Sequence, residues 1–396
     1  MISLDEARML IRTETAPLAT ETVALDAAVG RVLAEPVKAL RTQPPFAASA
    51  MDGYAVRSAD LDGKPVQLLV RGEAAAGHAS ERPLQAGECQ RISTGAPIPA
   101  GAEQIVIQEN VQRDGDQIST SDASEPGRHV RRAGIDFSSG DTLLTAGTQL
   151  TPRRLSLVVS AGLTRLTVRR RPRTGILSTG DELVEPGQST RPDQIVNSLG
   201  PGLAALVRQW GGDPHYLGIA RDDPEQVRDK LASAAGFDLI VTIGGASVGD
   251  HDHLRRVFDE MGGQLVFEKV AIKPGKPTWF GQLGATCVLG LPGNPVSAMV
   301  MARLCLKPLM DALLANTVSD TFLLARLSAD LPANGPRETL MRARHEAGTG
   351  KIVSLDNQDS SALSALNTAN ALIRRPAGAD AAAMGDTVEY LPLGDL

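Results

Sequence analysis

Alternation of short apolar runs with helical patterns between residues 174 and 314 restricts the fold more than any other feature. Thr174–Leu177, His215–Ile219 and Leu239–Ile243 have the composition of buried strands. Helical patterns occur between or after such runs, at Leu199–Trp210 and Pro295–Leu314. This alternation predicts a three-layer α/β domain, in which helices cover a mainly parallel sheet.

Composition restricts the class of protein. The chain has 396 residues, too many for one ordinary core, so we expect about two to four domains. The formal net charge of −6 argues against nucleic-acid binding, because such proteins normally carry a basic domain. The N-terminal residues lack the charged and apolar regions of a signal peptide, and no apolar run reaches membrane-spanning length. Three widely spaced cysteines are typical of reduced thiols, so we expect a cytoplasmic protein with no membrane partner.

Two proline-flanked glycine segments are candidates for an anion site. Lys273–Pro277 and Leu291–Pro295 each place a glycine between two prolines, which forces a tight turn. The first segment adds two ammonium groups. In the second, Asn294 stands at an N-cap position and Pro295 at the first helical position. A rigid cationic loop beside an open helix N-terminus is a receptor for phosphate or another oxyanion, and two structural turns with a well-capped helix are the alternative.

Polar turns directly follow the predicted strands, and the carboxyl ends of parallel strands meet at one sheet edge. The turns that we expect to converge there are Ser178–Glu182, Gly244–Asp250 and the two proline-flanked segments. Lys273 and Lys276 would neutralise a phosphate, whereas Asp181, Glu182 and Asp252 would need a hard cation such as Mg²⁺. A phosphorylated ligand with a divalent cation satisfies both sets of charges. Helix caps or solvated carboxylates are the alternative.

The regions outside the alternating segment differ from it in pattern. Ser3 and Glu6 have capping-box spacing, which predicts a helix through Ile11. A second helical stretch is predicted at Leu25–Leu33. Arg169–Arg173 is a charge run with a proline, which we interpret as a solvated linker.

Two regions have the pattern of small β domains. The first extends from Gly53 to about Asp136, and its predicted strands are Val66–Arg71, Cys89–Ser93 and Gln104–Gln108. The second begins near Val318, and its predicted strands are Leu323–Leu327, Thr339–Arg344, Ile352–Leu355 and Thr387–Leu391. In the first region, Asp52 has the context of a turn former. The arginines of Gly127–Asp136 are candidates for an oxyanion contact or ordinary surface residues.

Taken together, these residues resemble the MoeA family of molybdopterin molybdenumtransferases, which also includes the E domain of gephyrin. The resemblance extends from about Ser3 to the C-terminus. Any one motif is weak, but their order is specific. The motifs are Pro45–Val56, Thr94–Ala96, Arg131 with Asp136, Ser178–Leu183, Gly244–Gly249, Lys273–Pro277 and Pro292–Ser297.

The resemblance implies a multidomain α/β plus β fold with four domains in an elongated homodimer. The implied domains are a discontinuous helical domain at 1–43 and 137–172, an inserted β-rich domain at 44–136, an α/β molybdopterin-binding domain at 173–317 and a C-terminal β domain at 318–396. It also implies transient contact with the molybdopterin adenylyltransferase and with molybdoenzymes or their chaperones.

The implied reaction takes adenylylated molybdopterin and molybdate, cleaves the adenylate with the help of Mg²⁺, and releases AMP and molybdenum cofactor. As a hypothesis, Lys273 and Lys276 bind pyrophosphate or molybdate oxygens. Asp52 and Asp136 would reach in from the partner's β domain. A molybdopterin adenylyltransferase and a non-catalytic gephyrin-like scaffold are the alternative functions.

Matching the family's motifs gives the candidate site residues. The catalytic candidates are Asp52, Asp136, Glu182, Asp222, Asp252, Lys269, Lys273 and Lys276. The substrate-binding candidates are Thr94, Arg131, Thr179, Gly180, Gly244, Gly245, Ser247, Pro292, Gly293, Asn294 and Pro295. The metal candidates are Asp181, Glu182 and Asp252.

Overall fold

The computed structural model describes residues 1–62, 64–245, 253–317 and 321–394. The chain forms two compact units. The first unit comprises residues 1–35, 146–151 and 166–396, and the second comprises residues 36–145 and 152–165.

A mainly parallel sheet of six strands forms the centre of the first unit. In spatial order its strands are Asp213–Ala220, Arg173–Thr179, Leu239–Ile243, Thr286–Leu291, Trp279–Leu283 and Gln264–Phe267. The first four strands are parallel to one another. Trp279–Leu283 is antiparallel to both of its neighbours, Thr286–Leu291 and Gln264–Phe267. The central strands are buried along nearly their whole length, as expected for a sheet covered on both faces.

Helices cover both faces of this sheet, which confirms the predicted three-layer α/β arrangement. The α-helices of the first unit are Leu4–Thr13, Leu199–Gln209, Pro224–Ser233, His253–Glu260, Pro295–Met301, Lys307–Leu313 and Leu363–Thr368. One core contains Leu203, Leu289 and Leu309, and a second core, on the other face, contains Val227, Ile240 and Phe258. Successive residues of one strand enter different cores because successive side chains of a strand point to opposite faces.

The predicted caps and helix boundaries are partly confirmed. Ser3 Oγ accepts a hydrogen bond of 3.1 Å from the Glu6 N–H, which confirms the predicted cap. The helix that begins at Pro224 has a cap of the same kind, because the Asp223 side chain accepts a hydrogen bond from the Glu225 N–H. The helix predicted from Pro295 to Leu314 is confirmed as far as Leu313, and it contains a π-helical segment at Ala302–Leu306 that the sequence pattern did not predict. Pro308 follows that segment and has no N–H to donate to the preceding turn.

A closed barrel of five strands forms the C-terminal part of the first unit. Around the barrel, the strands are Glu338–Glu346, Lys351–Ser354, Leu323–Leu327, Thr387–Pro392 and Ala371–Arg375. The last strand pairs with the first, so the ring has no free edge. The short strand Ile272–Lys273 is added to it in parallel, with Lys273 opposite Thr339. The four strands predicted in this region are confirmed.

The second unit contains a six-stranded sheet. In spatial order its strands are Gln104–Ile107, Gly53–Val56, Glu88–Ile92, Val66–Ala74, Gln117–Thr120 and Gln112–Asp114. Two small pairs and one helix complete it: Ala48–Ser49 with Val130–Arg131, Val37–Lys38 with Thr142–Leu144, and the helix Pro152–Ser160. The three strands predicted here are confirmed.

The second helix predicted near the N-terminus is wrong. Only Leu25–Ala27 forms a turn of 3₁₀-helix, and Gly30 has a φ of 80°, so the helix predicted at Leu25–Leu33 does not form. Leu33 instead forms an antiparallel bridge with Val168. Two further strand pairs are present. One joins Leu183–Val184 to Ile195–Val196, and the other joins Thr20–Ala24 to Arg165–Arg169.

The arginine run is anchored to the fold at Arg170, whereas Arg171 and Arg173 are exposed, as predicted for a solvated linker. Arg170 donates two hydrogen bonds to the Asp238 carboxylate, of 2.6 and 2.5 Å, and the Arg173 N–H donates a third of 2.8 Å. The Asp238 side chain is only 11% exposed. Charge patterning did not reveal this anchor because the acid lies 68 residues further along the chain.

Among the described residues, no helix is both long and apolar enough to cross a membrane.

Substituting Asp238 should weaken the anchor of the α/β sheet. We expect Asp238→Ala to lower the free energy of unfolding by about 2 kcal/mol, because it leaves a partly buried guanidinium and an N–H without their acceptor. Chemical denaturation monitored by tryptophan fluorescence measures the change. Asp193→Ala is the matched control, since its ion pair with Arg191 is exposed, and it should leave the transition unchanged. Equal losses in the two variants would contradict this account.

Candidate functional site

The register of the parallel strands brings four turns to one edge of the sheet. Thr179 lies opposite Ala220, Ser178 lies opposite Ile243, and Ile243 lies opposite Leu291. The strands therefore end in one row, and the turns that follow them are neighbours. This confirms the predicted convergence for the turns after Thr179, Ile243 and Leu291.

Glycines allow these turns to pack closely. Gly244 has a φ of 89°, and a Cβ there would lie 2.7 Å from the Thr179 carbonyl oxygen. A Cβ on Gly293 would lie 3.5 Å from the Gly244 Cα. A larger residue at Gly244 would separate the first two turns. Thr179, Gly244 and Gly293 thus form a continuous wall, while Gly245 continues the Gly244 turn with a φ of 62°.

An acidic loop lies at the same edge. The Asp222 N–H donates a hydrogen bond of 3.2 Å to the Asp181 carboxylate. The Arg221 guanidinium donates to the carbonyl oxygens of Asp181 and Leu183, at 2.7 and 3.3 Å. The Glu182 carboxylate folds back over Gly180, where a Cβ would lie within 2.4–2.8 Å of it. The structure therefore brings together three of the predicted acids, and Arg221, which sequence reasoning missed, fixes their loop.

The metal prediction rests on an incomplete donor set. In the described ranges, no group of three or more His, Cys, Asp or Glu side chains is arranged to hold a metal ion. Asp181 and Glu182 are present at the sheet edge, whereas Asp252, the third predicted ligand, lies outside the described residues, as does Ser247. Asp181 and Glu182 alone leave a Mg²⁺ ion to complete its coordination with water and substrate phosphates, which is the usual arrangement for this ion.

The strand that precedes the lysine-bearing loop belongs to a different sheet from the one predicted. It does not follow a parallel strand of the α/β sheet, because Ile272–Lys273 pairs with the barrel strand Glu338–Glu346. The loop packs on the helix that begins at Pro295: a Cβ on Gly275 would lie 2.3 Å from the Met301 side chain. Only glycine fits this contact and its φ of 113°.

The helix begins at Pro295 with Asn294 at the N-cap position, as predicted, but its N-terminus is not fully open. The Asn294 side chain makes no capping bond to any residue that the structure describes. The Val296 N–H instead donates a hydrogen bond of 2.9 Å to the Ser360 carbonyl oxygen of the C-terminal region. Because Pro295 has no N–H and the Val296 N–H is already bonded, few donors remain at this N-terminus for an anion.

Between this loop and the barrel lies a groove of about 740 Å³, called the basic groove below. One side consists of the lysine-bearing loop with Pro292 and Asn294, and the other consists of barrel residues. Its charged lining residues are Lys273, Lys276, Arg337, Arg342, Arg375 and Asp359. Five cations and one carboxylate give the groove a strongly positive lining.

Two arginines of the basic groove are buried and incompletely paired. Arg342 is 1% exposed, and its Nη2 donates to the carbonyl oxygens of Asn357 and Asp359, at 3.0 and 3.1 Å. Arg375 is 5% exposed and donates through Nη2 to Pro332 and Asp380 carbonyl oxygens. In both, Nε has no hydrogen-bond partner within the described part of the chain. Buried donors of this kind need an acceptor that the described residues do not supply.

Burial also changes the acid–base properties of Arg342. It lowers the pKa of the guanidinium below its ordinary value, and the Asp359 carboxylate acts in the opposite direction. Arginine nevertheless keeps its proton at neutral pH. Arg342 therefore contributes a full positive charge to the basic groove.

Sequence reasoning missed Arg342 and Arg375 although a signal was present. In the predicted strand Thr339–Arg344, Leu340 and Arg342 occupy alternate positions and hence one face. An arginine on the apolar face of a strand is unusual and indicates a special environment. Lys269, predicted as catalytic, is not among the lining residues of the basic groove and pairs with Glu268 at 3.6 Å.

In the second unit, Asp52 and Thr94 form a compact pair. Asp52 accepts hydrogen bonds from the Thr94 N–H, at 2.7 Å, and from its hydroxyl, at 3.1 Å. These bonds lower the pKa of Asp52, and the Arg91 charge lowers it further. The structure thus brings the two candidate residues together, and the Asp52 carboxylate is held in its ionised form.

The other two candidates of the second unit lie on neighbouring backbone segments. Arg131 is opposite Ala48 in a two-stranded pair, and both Arg131 and Asp136 are exposed. The Asp136 N–H donates to the Gln43 carbonyl oxygen at 3.2 Å. Their side chains are therefore available to a ligand or partner.

Three family models match the chain. They are the MoeA N-terminal region (domain I and II) over residues 2–162, the probable molybdopterin binding domain over residues 175–312, and the MoeA C-terminal region (domain IV) over residues 324–393.

Curated relatives and solved structures agree with these matches. The chain is 38% identical over 372 residues to molybdopterin molybdenumtransferase 2 of Mycobacterium tuberculosis, covering 90% of each chain. It is 37% identical over 330 residues to the molybdopterin molybdenumtransferase of a Nostoc species, covering 81% of this chain and 76% of that one. The crystal structure of the molybdopterin biosynthesis moeA protein from Pyrococcus horikoshii superposes with a TM-score of 0.85, at 28% identity, covering 99% of this chain and 100% of that chain.

The Asp52–Thr94 pair predicts a specific pH dependence. Because the folded-state pKa of Asp52 is lowered, its contribution to stability is present above the unfolded-state pKa and is lost as pH falls through the folded-state pKa. We expect Thr94→Val, which removes the hydroxyl bond, to raise the pKa of Asp52, as measured by carboxyl NMR titration. Thr94→Ser keeps the hydroxyl and is the matched control. Identical pKa values in the two variants would contradict a contribution from the hydroxyl.

Proposed function

The chain belongs to the MoeA family of molybdopterin molybdenumtransferases, transferases of molybdenum cofactor biosynthesis, and from this premise we propose that the basic groove binds the molybdate that is transferred. The observation that carries the proposal is the convergence of two lysines and three arginines on one groove, which are Lys273, Lys276, Arg337, Arg342 and Arg375. The second substrate in this proposal is adenylylated molybdopterin, and the products are AMP and molybdenum cofactor.

Charge supports molybdate as the occupant of the basic groove. Molybdate is a tetrahedral dianion with four oxygens, and it can accept hydrogen bonds from several directions. Lys273 and Lys276 are exposed on a loop that Gly275 holds against Met301, so they can reach an anion from one side. Arg342 provides a fixed guanidinium from the other side.

The turn that contains Gly293 lies between the basic groove and the glycine turns of the sheet edge. Pro292 and Asn294 line the groove, and Gly293 between them packs on Gly244, which packs on Thr179. A long substrate can therefore have one end at the sheet edge and another in the groove. We assign the pyrophosphate of adenylylated molybdopterin to the glycine turns, where backbone N–H groups can approach it closely.

In this mechanism the residues of the chain bind and orient both substrates. Lys273 and Lys276 stabilise negative charge as an oxygen of water or molybdate bonds to the adenylate phosphorus, the bridging P–O bond breaks, and AMP and the molybdopterin phosphate separate. Arg221 keeps the Asp181–Leu183 loop fixed, and so holds the acids in place. Asp181 and Glu182 at the sheet edge would hold Mg²⁺ together with substrate oxygens, and the ion would supply positive charge opposite the leaving phosphate. The Mg²⁺ requirement is a prediction from the resemblance, and AMP release with and without EDTA measures it.

An adenylyltransferase function explains less of the molecule. The match to the molybdopterin binding domain covers residues 175–312. Arg342 and Arg375, which supply the buried charges of the basic groove, lie outside that region. The transferase function, by contrast, involves both the α/β sheet and the C-terminal barrel of the first unit.

We further propose that the chain acts as a homodimer, in which Asp52 and Asp136 of one subunit serve the site of the other. Their exposed positions in the second unit are compatible with such a role. Transient contacts with the adenylyltransferase and with molybdoenzymes or their chaperones are part of the same proposal. Pull-down of the purified adenylyltransferase by this chain measures the first contact.

Removing a lysine of the basic groove should impair the reaction strongly. We expect Lys273→Ala to lower the rate of molybdate-dependent AMP release by about 10²–10³-fold, because a charged donor to the reacting anion is lost. The rate is measured with adenylylated molybdopterin under saturating conditions. Lys351→Ala, at an exposed position of the barrel outside the groove lining, is the matched control and should retain the full rate. A full rate in Lys273→Ala would remove this lysine from the site.

Mixing two inactive variants tests the proposed dimer. Asp52→Ala and Lys273→Ala subunits, unfolded and refolded together, should recover about one quarter of the original rate, because half of the random dimers contain one intact site of two. Each variant refolded alone should show only its residual rate. An absence of recovery in verified mixed dimers would contradict a site shared between subunits.

A further inference from the structure

The side chain of Gln358 binds the backbone of Arg342 on both sides of its Cα. Its Oε1 accepts from the Arg342 N–H at 3.0 Å, and its Nε2 donates to the Arg342 carbonyl oxygen at 2.9 Å. Nε2 also donates to the Leu355 carbonyl oxygen at 2.7 Å. One side-chain amide therefore replaces the backbone partner that a neighbouring strand would offer.

This replacement occurs where the sheet ladder ends. Lys351–Ser354 pairs with the barrel strand as far as Ser354 opposite Ala343, and the Leu355 N–H makes one more bond of 2.8 Å to the Arg342 carbonyl oxygen. The chain then turns away from the strand. Gln358 fills the vacated ladder position, so the main chain on either side of it can bend over Arg342.

The bend places two carbonyl oxygens on the guanidinium. Asn357 and Asp359, the residues on either side of Gln358, both accept from Arg342 Nη2. Gln358 thus fixes the backbone of Arg342, while its two neighbours fix the end of the side chain. Because Arg342 is only 1% exposed, solvent contributes little to the direction of its guanidinium.

We propose that Gln358 is a positioning residue, which holds the Arg342 guanidinium at the wall of the basic groove in the orientation that binds the oxyanion. The inference rests on the proposed function of the groove. Gln358 acts through Arg342 and takes no part in the cleavage of the phosphoanhydride. Its loss therefore weakens molybdate binding more than it lowers the maximal rate.

Two substitutions separate the amide from the bulk of the side chain. Gln358→Met keeps a similar length but removes all three hydrogen bonds. Gln358→Glu keeps an acceptor for the Arg342 N–H but turns an anionic oxygen toward the carbonyl oxygens of Arg342 and Leu355. Gln282→Met is the matched control, because the Gln282 amide donates to the Glu14 carbonyl oxygen, and Gln282 is not among the lining residues of the groove.

The experiment measures AMP release as a function of molybdate concentration, together with calorimetric titration of the protein with molybdate alone. For Gln358→Met and Gln358→Glu we expect the half-saturating molybdate concentration to rise about tenfold, which corresponds to a loss of about 1.4 kcal/mol of binding free energy. We expect the rate at saturating molybdate to change less than about twofold. Gln282→Met should match the unsubstituted protein in both quantities.

A double-mutant cycle distinguishes positioning from general stability. In an Arg342→Lys background the oriented guanidinium is already absent, so Gln358→Met should have less than about a twofold further effect. An unchanged molybdate dependence in the Gln358 variants, or the same tenfold effect in the Arg342→Lys background, overturns the inference alone. An unchanged molybdate dependence in Arg342→Lys itself overturns both the groove assignment and the inference.

Discussion

Parallel pairing of four strands in register is the constraint on which the site depends. Arg173–Thr179, Asp213–Ala220, Leu239–Ile243 and Thr286–Leu291 end in one row, so the turns that follow them must be neighbours. The close approach of these turns requires glycine at Gly244, where a Cβ would collide with Thr179. Helices on both faces bury the strands and hold this register, because a slip by one residue would exchange the two cores. The geometry of the sheet edge is therefore a consequence of core packing.

The barrel supplies what the sheet edge lacks, which is buried positive charge. Transferring guanidinium groups out of water is costly unless their donors are satisfied, and Arg342 and Arg375 each keep an Nε without a partner among the residues described. A dianion bound in the basic groove would offset that cost. The same physics explains why main-chain carbonyl oxygens, rather than carboxylates, hold the Nη2 atoms: a carboxylate would neutralise the charge that the groove needs.

Much of this architecture could be predicted from local sequence patterns. The strand–helix alternation, the Ser3 cap and the turns after Thr179 and Ile243 depend on residues that are close in sequence, so periodicity and turn chemistry reveal them. Other features depend on residues far apart in the chain. The Arg170–Asp238 anchor, the bond from the Val296 N–H to Ser360 and the pairing of Lys273 with Thr339 are long-range contacts that a linear pattern does not contain. For the same reason the sequence did not reveal that the helix N-terminus at Asn294 is not fully open. Arg342 is intermediate, since its place on an apolar strand face is visible in the sequence but its role is not.

The central claim is that this chain uses molybdate to release AMP from adenylylated molybdopterin, with the molybdate held in the basic groove. The most direct measurement is AMP release by the unsubstituted protein with and without molybdate. The account predicts release that depends on molybdate and saturates with its concentration. Release at the same rate without molybdate, or no release in its presence, would contradict it.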